Sequence, residues 1–256
     1  MDLPDWVDFN LGMNVVLMKD MSGYNLPQES DMDIWRDVIL RYAKIQKDSI
    51  THIPFNFVHY DRTIDTIVGK LHTFPEKVFE FLKGTQNELT PKEVKDLKEK
   101  TTTAAALLES IRGMPIPNTI HHGDIRPGNI RVVGDNYIFY DWAWGGVSHP
   151  FVEIVAFLNV IRRALPYEAA KEMLRDTYLQ EWLSYGAYDE LKYAFSVLDI
   201  LRDLFFALDD YDWAEAVKLA HDIPIHAMSA DGWLAERRGY YFVNVVRRFL
   251  VASLTI

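Results

Sequence analysis

The chain has 256 residues, no cysteine and a net charge of −10, which excludes disulfides and thiolate metal sites and argues against nucleic acid, whose phosphates demand a basic footprint. Its 49% hydrophobic and 13% aromatic residues are the composition of a globular domain. No apolar run approaches the ~18–20 residues that span a bilayer, and the acidic start Met1-Asp2-Leu3-Pro4-Asp5 is unlike a signal peptide, so a cytoplasmic protein without a membrane partner is expected.

In chain order, an opening strand is expected at Val15–Met18. Ile34, Trp35, Val38, Ile39, Tyr42 and Ile45 recur at helical spacing, which predicts an amphipathic helix over 31–47. Two shorter helices follow near 63–71 and 75–83. Thr90-Pro91-Lys92-Glu93 has the N-cap Thr, first-turn Pro and third-position Glu of a capping box. That helix should run to Arg112, where Gly113 and Pro115 stop it. Ile130–Val133 and Tyr137–Tyr140 are β-type runs around Gly134-Asp135-Asn136, a hairpin with a three-residue turn. Helices near 151–164, 167–184, 188–209, 212–221 and 232–253 complete the chain, divided by Pro166, Gly186, the Asp209–Asp212 cluster and Pro224. The expectation is one domain over 1–256, mostly α in an α+β class, with a small hairpin.

The chemistry concentrates on His122-Gly123-Asp124-Ile125-Arg126-Pro127-Gly128-Asn129, followed twelve residues after Asn129 by Asp141-Trp142. The residue entering a hairpin lies beside the residue leaving it. Asn129 and Asp141 should therefore meet at its open end, with Asp124 on the loop just before. Two hard oxygen ligands suit a Mg²⁺ that keeps waters and binds phosphates. The remaining Asp124 would then orient a hydroxyl and accept its proton, as in phosphoryl transfer. His122 is read as a residue that holds the loop by a side-chain hydrogen bond. Arg126 is read either as a cation facing the transferring phosphate or as a salt-bridged loop residue.

This segment resembles the HGDxxxxN catalytic loop of the aminoglycoside phosphotransferase and choline kinase group. Ile138-Phe139-Tyr140-Asp141-Trp142 resembles that group's metal-binding segment. His149-Pro150-Phe151-Val152-Glu153-Ile154 extends the match, but His149 and Glu153 replace the family's two acids there, so the resemblance assigns neither a supporting role. Val15-Val16-Leu17-Met18-Lys19-Asp20-Met21-Ser22-Gly23 resembles the family's hinge. It implies Met18 at the gatekeeper position, with the Lys19 carbonyl and Met21 amide facing the base of ATP or GTP. In the family a nucleotide-covering small lobe precedes the hinge, with the Lys that grips the phosphates. Residues 1–14 resemble none of it. The resemblance thus implies a protein-kinase-like large lobe. Residues 1–23 supply the last strand and hinge, 24–150 the core helices and catalytic loop, and 151–256 the helical acceptor-binding part. The apolar hinge edge around Val15, Leu17, Met18 and Met21 is then expected to self-associate or recruit a partner.

On the 188–209 helix a core stripe runs through Val197, Leu198, Leu201, Leu204, Phe205 and Leu208. Asp199 and Asp203, four residues apart with Phe206 and Asp210 continuing the row, would suit an ammonium group or simply form a solvated acidic face. Three functions fit in different degree. The first is a small-molecule O-phosphotransferase represented by its large lobe, inactive or weakly active alone, acting on a small hydroxylated substrate, cationic or neutral. The second is a non-catalytic ligand- or partner-binding descendant. The third, a protein kinase, is disfavoured by Gly123, by Trp142 after the metal Asp and by the lack of an Ala-Pro-Glu-like segment.

Overall fold

The first long helix starts where Asp31 can cap it: Oδ1 accepts from the amides of Asp33 and Ile34 at 3.0 and 2.9 Å. This helix, α1 (Met32–Ser49), buries Trp35, Val38, Ile39, Tyr42, Ala43 and Gln46 along one stripe, the pattern its sequence spacing predicts. The computed structural model describes residues 6–10, 15–27, 31–51, 60–84, 87–162, 165, 167, 169–220 and 242–256, with the backbone alone at 6–10, 15–18 and 213–220.

Three small sheets accompany the helices. β1 (Trp6–Asn10) pairs antiparallel with β2 (Val15–Met18). β3 (Tyr24–Asn25) lies against the motif hairpin, made of β6 (Ile130–Val133) and β7 (Asn136–Phe139), in the order β3-β6-β7. The third sheet places β8 (Gly146–Ser148) between β4 (Tyr60–Arg62), parallel to it, and β5 (Thr119–His121), antiparallel to it. Only the hairpin and the Val15–Met18 strand are expected from sequence. Strands of two or three residues are too short to show an alternation, and their partners alone define them.

The hairpin corrects one expectation. Val133 pairs with Asn136, so the turn is the two residues Gly134-Asp135, with Gly134 at φ 59°, rather than three. A tight two-residue turn needs a residue that tolerates positive φ, and Gly134 supplies it.

The chain divides into two compact units. The first comprises Met1–Thr63 and Met114–Phe195, the second Ile64–Gly113 and Ser196–Ile256. No linker-like composition marks any of the three crossings, so a reading of one domain is all the sequence offers. In the first unit, α5 (Pro150–Ile161) is buried on nearly every side. α6 (Ala170–Gln180) and a 3₁₀ turn at Leu183–Tyr185 replace the single helix expected over 167–184. Trp182, Tyr178, Phe151 and Phe195 pack as an aromatic core beneath them.

The second unit contains α2 (Ile64–Leu71), α3 (Phe74–Leu82) and α4 (Pro91–Arg112). α4 begins with the full Thr90/Glu93 capping box. α7 (Tyr188–Ile200) and α8 (Arg202–Ala220) stand where helices over 188–209 and 212–221 are expected. The break falls at Leu201, and the acidic cluster at 209–212 continues as helix. The apolar residues Val197, Leu198, Leu201, Leu204, Phe205 and Leu208 are buried, as their spacing predicts. Of the helix expected over 232–253, residues 242–251 are helical (α9) and 232–241 lie outside the described residues. Lys100 donates to the carbonyls of Phe249 (3.0 Å) and Ala252, closing the C-terminal end of α9. Among the described residues no helix is long and apolar enough to cross a membrane.

Candidate active site

After β5 the chain turns sharply at Gly123, whose φ is 86°. A Cβ there would lie 2.3 Å from the Trp144 carbonyl oxygen, so only glycine lets the loop pass this close to the segment carrying Trp144. Asp124 follows, half-exposed. The 3₁₀ turn Pro127–Asn129 then folds the chain back, with the Asn129 amide donating to the Arg126 carbonyl at 2.8 Å. The Asn129 side chain is buried, and its Nδ2 donates to Asp124 O at 2.8 Å and Asp124 Oδ2 at 3.0 Å. With the nitrogen turned to Asp124, Oδ1 is the Asn129 atom left for a cation.

The hairpin brings the second donor. Ile130 pairs with Phe139, and the Tyr140 amide donates to the Asn129 carbonyl at 3.1 Å, extending the ladder by one residue. Asp141 comes next, exposed and at φ 65°, the one non-glycine residue with positive φ among those described. Such a conformation costs of order 1 kcal/mol or more and persists where the surroundings enforce it. His122 is part of that enforcement. Its Nδ1 accepts from the Asp124 amide (3.3 Å), its Nε2 donates to the Tyr140 carbonyl (2.9 Å), and its ring packs on Trp142 at 4.4 Å. Burial lowers its pKa and keeps the imidazole neutral, the state in which one nitrogen accepts while the other donates. His122 thus holds the loop, as its sequence reading anticipates. Arg126 reaches back to Asp124, Nε to Oδ2 at 3.2 Å; of its two sequence readings, the ion pair is the contact observed.

The residue the sequence left without a role is Glu153. Its carboxylate is buried in the first turn of α5 and accepts from the backbone amides of His122 and Gly123. It also accepts from the Tyr42 hydroxyl (2.8 Å) and lies 3.0 Å from His121 Nδ1. Burial by itself would raise its pKa, but His121 and the Tyr42 hydroxyl outweigh that and hold it at about 2. Burial and the Glu153 charge push the Tyr42 phenol well above its ordinary range, so it stays a donor. The available signal was the family resemblance at 149–154, where a longer acid stands in place of the usual Asp. The extra methylene is compatible with a reach to two consecutive amides. His149 serves differently: Nδ1 caps α5 by accepting from the Phe151 amide at 3.2 Å, and burial lowers its pKa to about 3.

The hinge-like segment joins this assembly at one point. The Met21 carbonyl accepts from Arg131 Nε on β6 at 2.9 Å. Lys19 is exposed, and Met18 ends β2 with its side chain outside the described residues. Asp199 and Asp203 belong to the second unit, where arginines meet them. Asp203 Oδ1 lies 3.5 Å from Arg202 Nε and 3.4 Å from Arg248 Nη2, and Asp199 Oδ1 lies 4.0 Å from Arg202 Nη1. Among the described residues no three His, Cys, Asp or Glu side chains form a metal cage.

Residues 54–193 match the family described as the Phosphotransferase enzyme family (APH). The chain belongs to this family. The matched span holds Asp124, Arg126, Asn129, Asp141 and Glu153, and excludes the hinge-like segment and Asp199 and Asp203. No curated protein sequence matches the chain. Among solved structures, a choline/ethanolamine kinase family protein from Mesorhizobium loti aligns at 14% identity and TM-score 0.55, over 96% of this chain and 78% of that one. A choline kinase from Streptococcus pneumoniae aligns at 12% identity and TM-score 0.57, over 96% and 75%. An amicoumacin kinase in complex with AMP-PNP, Ca²⁺ and Ami aligns at 10% identity and TM-score 0.55, over 92% and 64%. At such identities the likeness is one of fold. The APH chain has the protein-kinase-like α+β architecture, mostly helical with small sheets.

Proposed function

We propose that this APH-family chain carries the catalytic half of an ATP-dependent small-molecule O-phosphotransferase, and that GTP is the alternative donor. The observation that supports this most is the gathering of Asp124, Asn129 and Asp141 at one end of the hairpin, through the Asn129–Asp124 hydrogen bonds and the Tyr140–Asn129 ladder bond. The donor set fits a Mg²⁺–nucleotide: Asn129 Oδ1 and the exposed Asp141 carboxylate would hold the ion, leaving most of its shell to phosphates and water. When bound, the ion would neutralise charge on the transferring phosphoryl group. Asp124 orients the acceptor hydroxyl and takes its proton. Arg126, lying on Asp124 Oδ2, would face the transferring phosphate with nucleotide bound. In this reading Met18, Lys19 and Met21 meet the base, and Asp199 and Asp203 belong to the acceptor side. The acceptor is a small hydroxylated molecule, and the net charge of −10 suits a cationic one. In this reading the nucleotide-covering lobe supplies the Lys that grips the phosphates, so the 256 residues by themselves are expected to be weakly active or inactive.

Calorimetric titration tests the metal arm. MgATP should bind weakly to the chain, and Asp141→Asn should weaken it by roughly tenfold or more, the scale at which a lost charged contact acts. A wild-type chain indifferent to MgATP, or an Asp141→Asn variant with unchanged affinity, would reject the assignment. A second reading, a non-catalytic ligand- or partner-binding descendant, is favoured by the Arg126–Asp124 pair, which engages one oxygen of the would-be base. It predicts binding without transfer. Self-association through the 15–21 edge is part of the first reading. Sedimentation velocity should show concentration-dependent association, and a monomer at every concentration would remove it.

A further inference from the structure

Three side chains connect the hinge-like segment to the hairpin that carries Asn129 and Asp141. Asn25 on β3 sits directly opposite Arg131 on β6 in the backbone register. Arg131 also bonds across to β3 and the segment before it, with Nε donating to the Met21 carbonyl at 2.9 Å and Nη1 donating to Asn25 Oδ1 at 3.1 Å. Tyr140, the residue immediately before Asp141, brings its hydroxyl 3.1 Å from the same Asn25 Oδ1 and also against the carbonyl of Gly128, the residue immediately before Asn129. One hydroxyl proton serves one of these acceptors at a time, so Tyr140 is poised between β3 and the loop end. The backbone reinforces the contact. Leu26 donates to the Ile130 carbonyl at 2.7 Å, and Gly23, at φ 94°, passes so close that a Cβ would lie 1.9 Å from the Val132 carbonyl oxygen.

We propose that Arg131, Asn25 and Tyr140 are positioning residues that couple base recognition on the 18–21 segment to metal holding by Asn129 and Asp141. This rests on the phosphotransferase reading above. The physical reason is the reach of the guanidinium. Its fork fixes two donors in one plane, so a shift of Met21 relative to Asn25 must break a charge-assisted hydrogen bond. Tyr140 passes the same constraint to the residues flanking both metal donors. Nucleotide that settles the 18–21 segment therefore settles the Asp141 end of the hairpin, and by reciprocity Mg²⁺ tightens the grip on the base.

The test measures affinity in the full chain by calorimetry, with ADP in the presence of EDTA and ADP in the presence of Mg²⁺. The wild-type ratio of the two affinities defines the coupling. Arg131→Met should lower MgADP affinity by about tenfold, within the usual range of coupling between sites, and move the ratio towards one. Arg131→Lys, whose ammonium lacks the planar fork, should fall between. Tyr140→Phe removes a single hydroxyl and carries the test should Arg131→Met fail to fold. It should reduce the ratio while metal-free ADP binding stays near wild type. Loss of affinity by the same factor with and without Mg²⁺ would overturn the proposal, since a merely structural role weakens both alike. Unchanged binding in the variants would also overturn it. A wild-type chain that binds ADP in neither condition would instead fail the phosphotransferase reading, and the coupling with it.

Discussion

Glu153→Gln should destabilise the chain by on the order of 3 kcal/mol and loosen the His122–Gly123 backbone that it holds. The carboxylate accepts two backbone amides and the Tyr42 hydroxyl beside His121. A glutamine retains one acceptor and turns a donor NH₂ towards groups that are themselves donors. Leaving such buried donors unmatched costs roughly 1–3 kcal/mol each, and breaking a buried charged network typically costs 3–5 kcal/mol. Glu153→Asp keeps the charge but is a methylene shorter, so it should lie between. Denaturant unfolding provides the measurement, and a Glu153→Gln variant within about 0.5 kcal/mol of wild type, the range of an ordinary surface substitution, would contradict the buttressing role.

The same network sets an acid dependence. Glu153 is held at about 2 against an ordinary value of 4.5. Its contribution is complete above pH 4.5 and is lost as pH falls towards 2, amounting to roughly 3 kcal/mol by linkage. His149 is held at about 3 against 6.5. Below pH 6.5 the unfolded chain takes up a proton that the folded one refuses, so stability declines from there towards pH 3. Tm should therefore fall in two stages on acidification. His149→Asn, which keeps a capping side chain and removes the titration, should flatten the upper stage. A Tm constant between pH 6.5 and 4.5 in the wild type would refute the His149 assignment.

In an enzyme with the nucleotide-covering lobe restored, Asp124→Asn should reduce phosphoryl transfer by ~10²–10⁴-fold, the usual effect of removing a general base, while leaving MgATP affinity close to wild type. Asparagine keeps an oxygen for Asn129 Nδ2, which Asp124 Oδ2 accepts at 3.0 Å, so the loop geometry should survive. It loses the proton acceptor and the Arg126 ion pair. ADP release with a panel of hydroxylated amines would serve as the assay. A loss below tenfold would reject Asp124 as the base. With that lobe restored, MgATP binding without transfer to any acceptor in the panel would favour the binding-only reading.

Much of this arrangement was written locally. The capping box at Thr90, the amphipathic stripe of α1 and the hairpin around Gly134 depend on residues within one or two turns of each other, so their spacing alone predicts them. The adjacency of Asn129 and Asp141 follows from the same hairpin. Other features depend on partners far along the chain. The β4-β8-β5 sheet joins residues near 60, 120 and 147 through strands of three residues each, and no local pattern marks them. The break at Leu201 is likewise unmarked, because no Gly or Pro interrupts the helical apolar spacing there. Glu153 meets the His122 amide across about thirty positions and Tyr42 across more than a hundred. A carboxylate acquires such a role only when folding removes water and surrounds it with donors. The sequence by itself determined the family, helices α1 and α4 and the motif hairpin, since covalent neighbours carry those signals. Only the tertiary structure decided that Glu153 anchors the loop, that Arg126 lies on Asp124 and that Arg131 holds the Met21 carbonyl, because burial and long-range contact make those bonds.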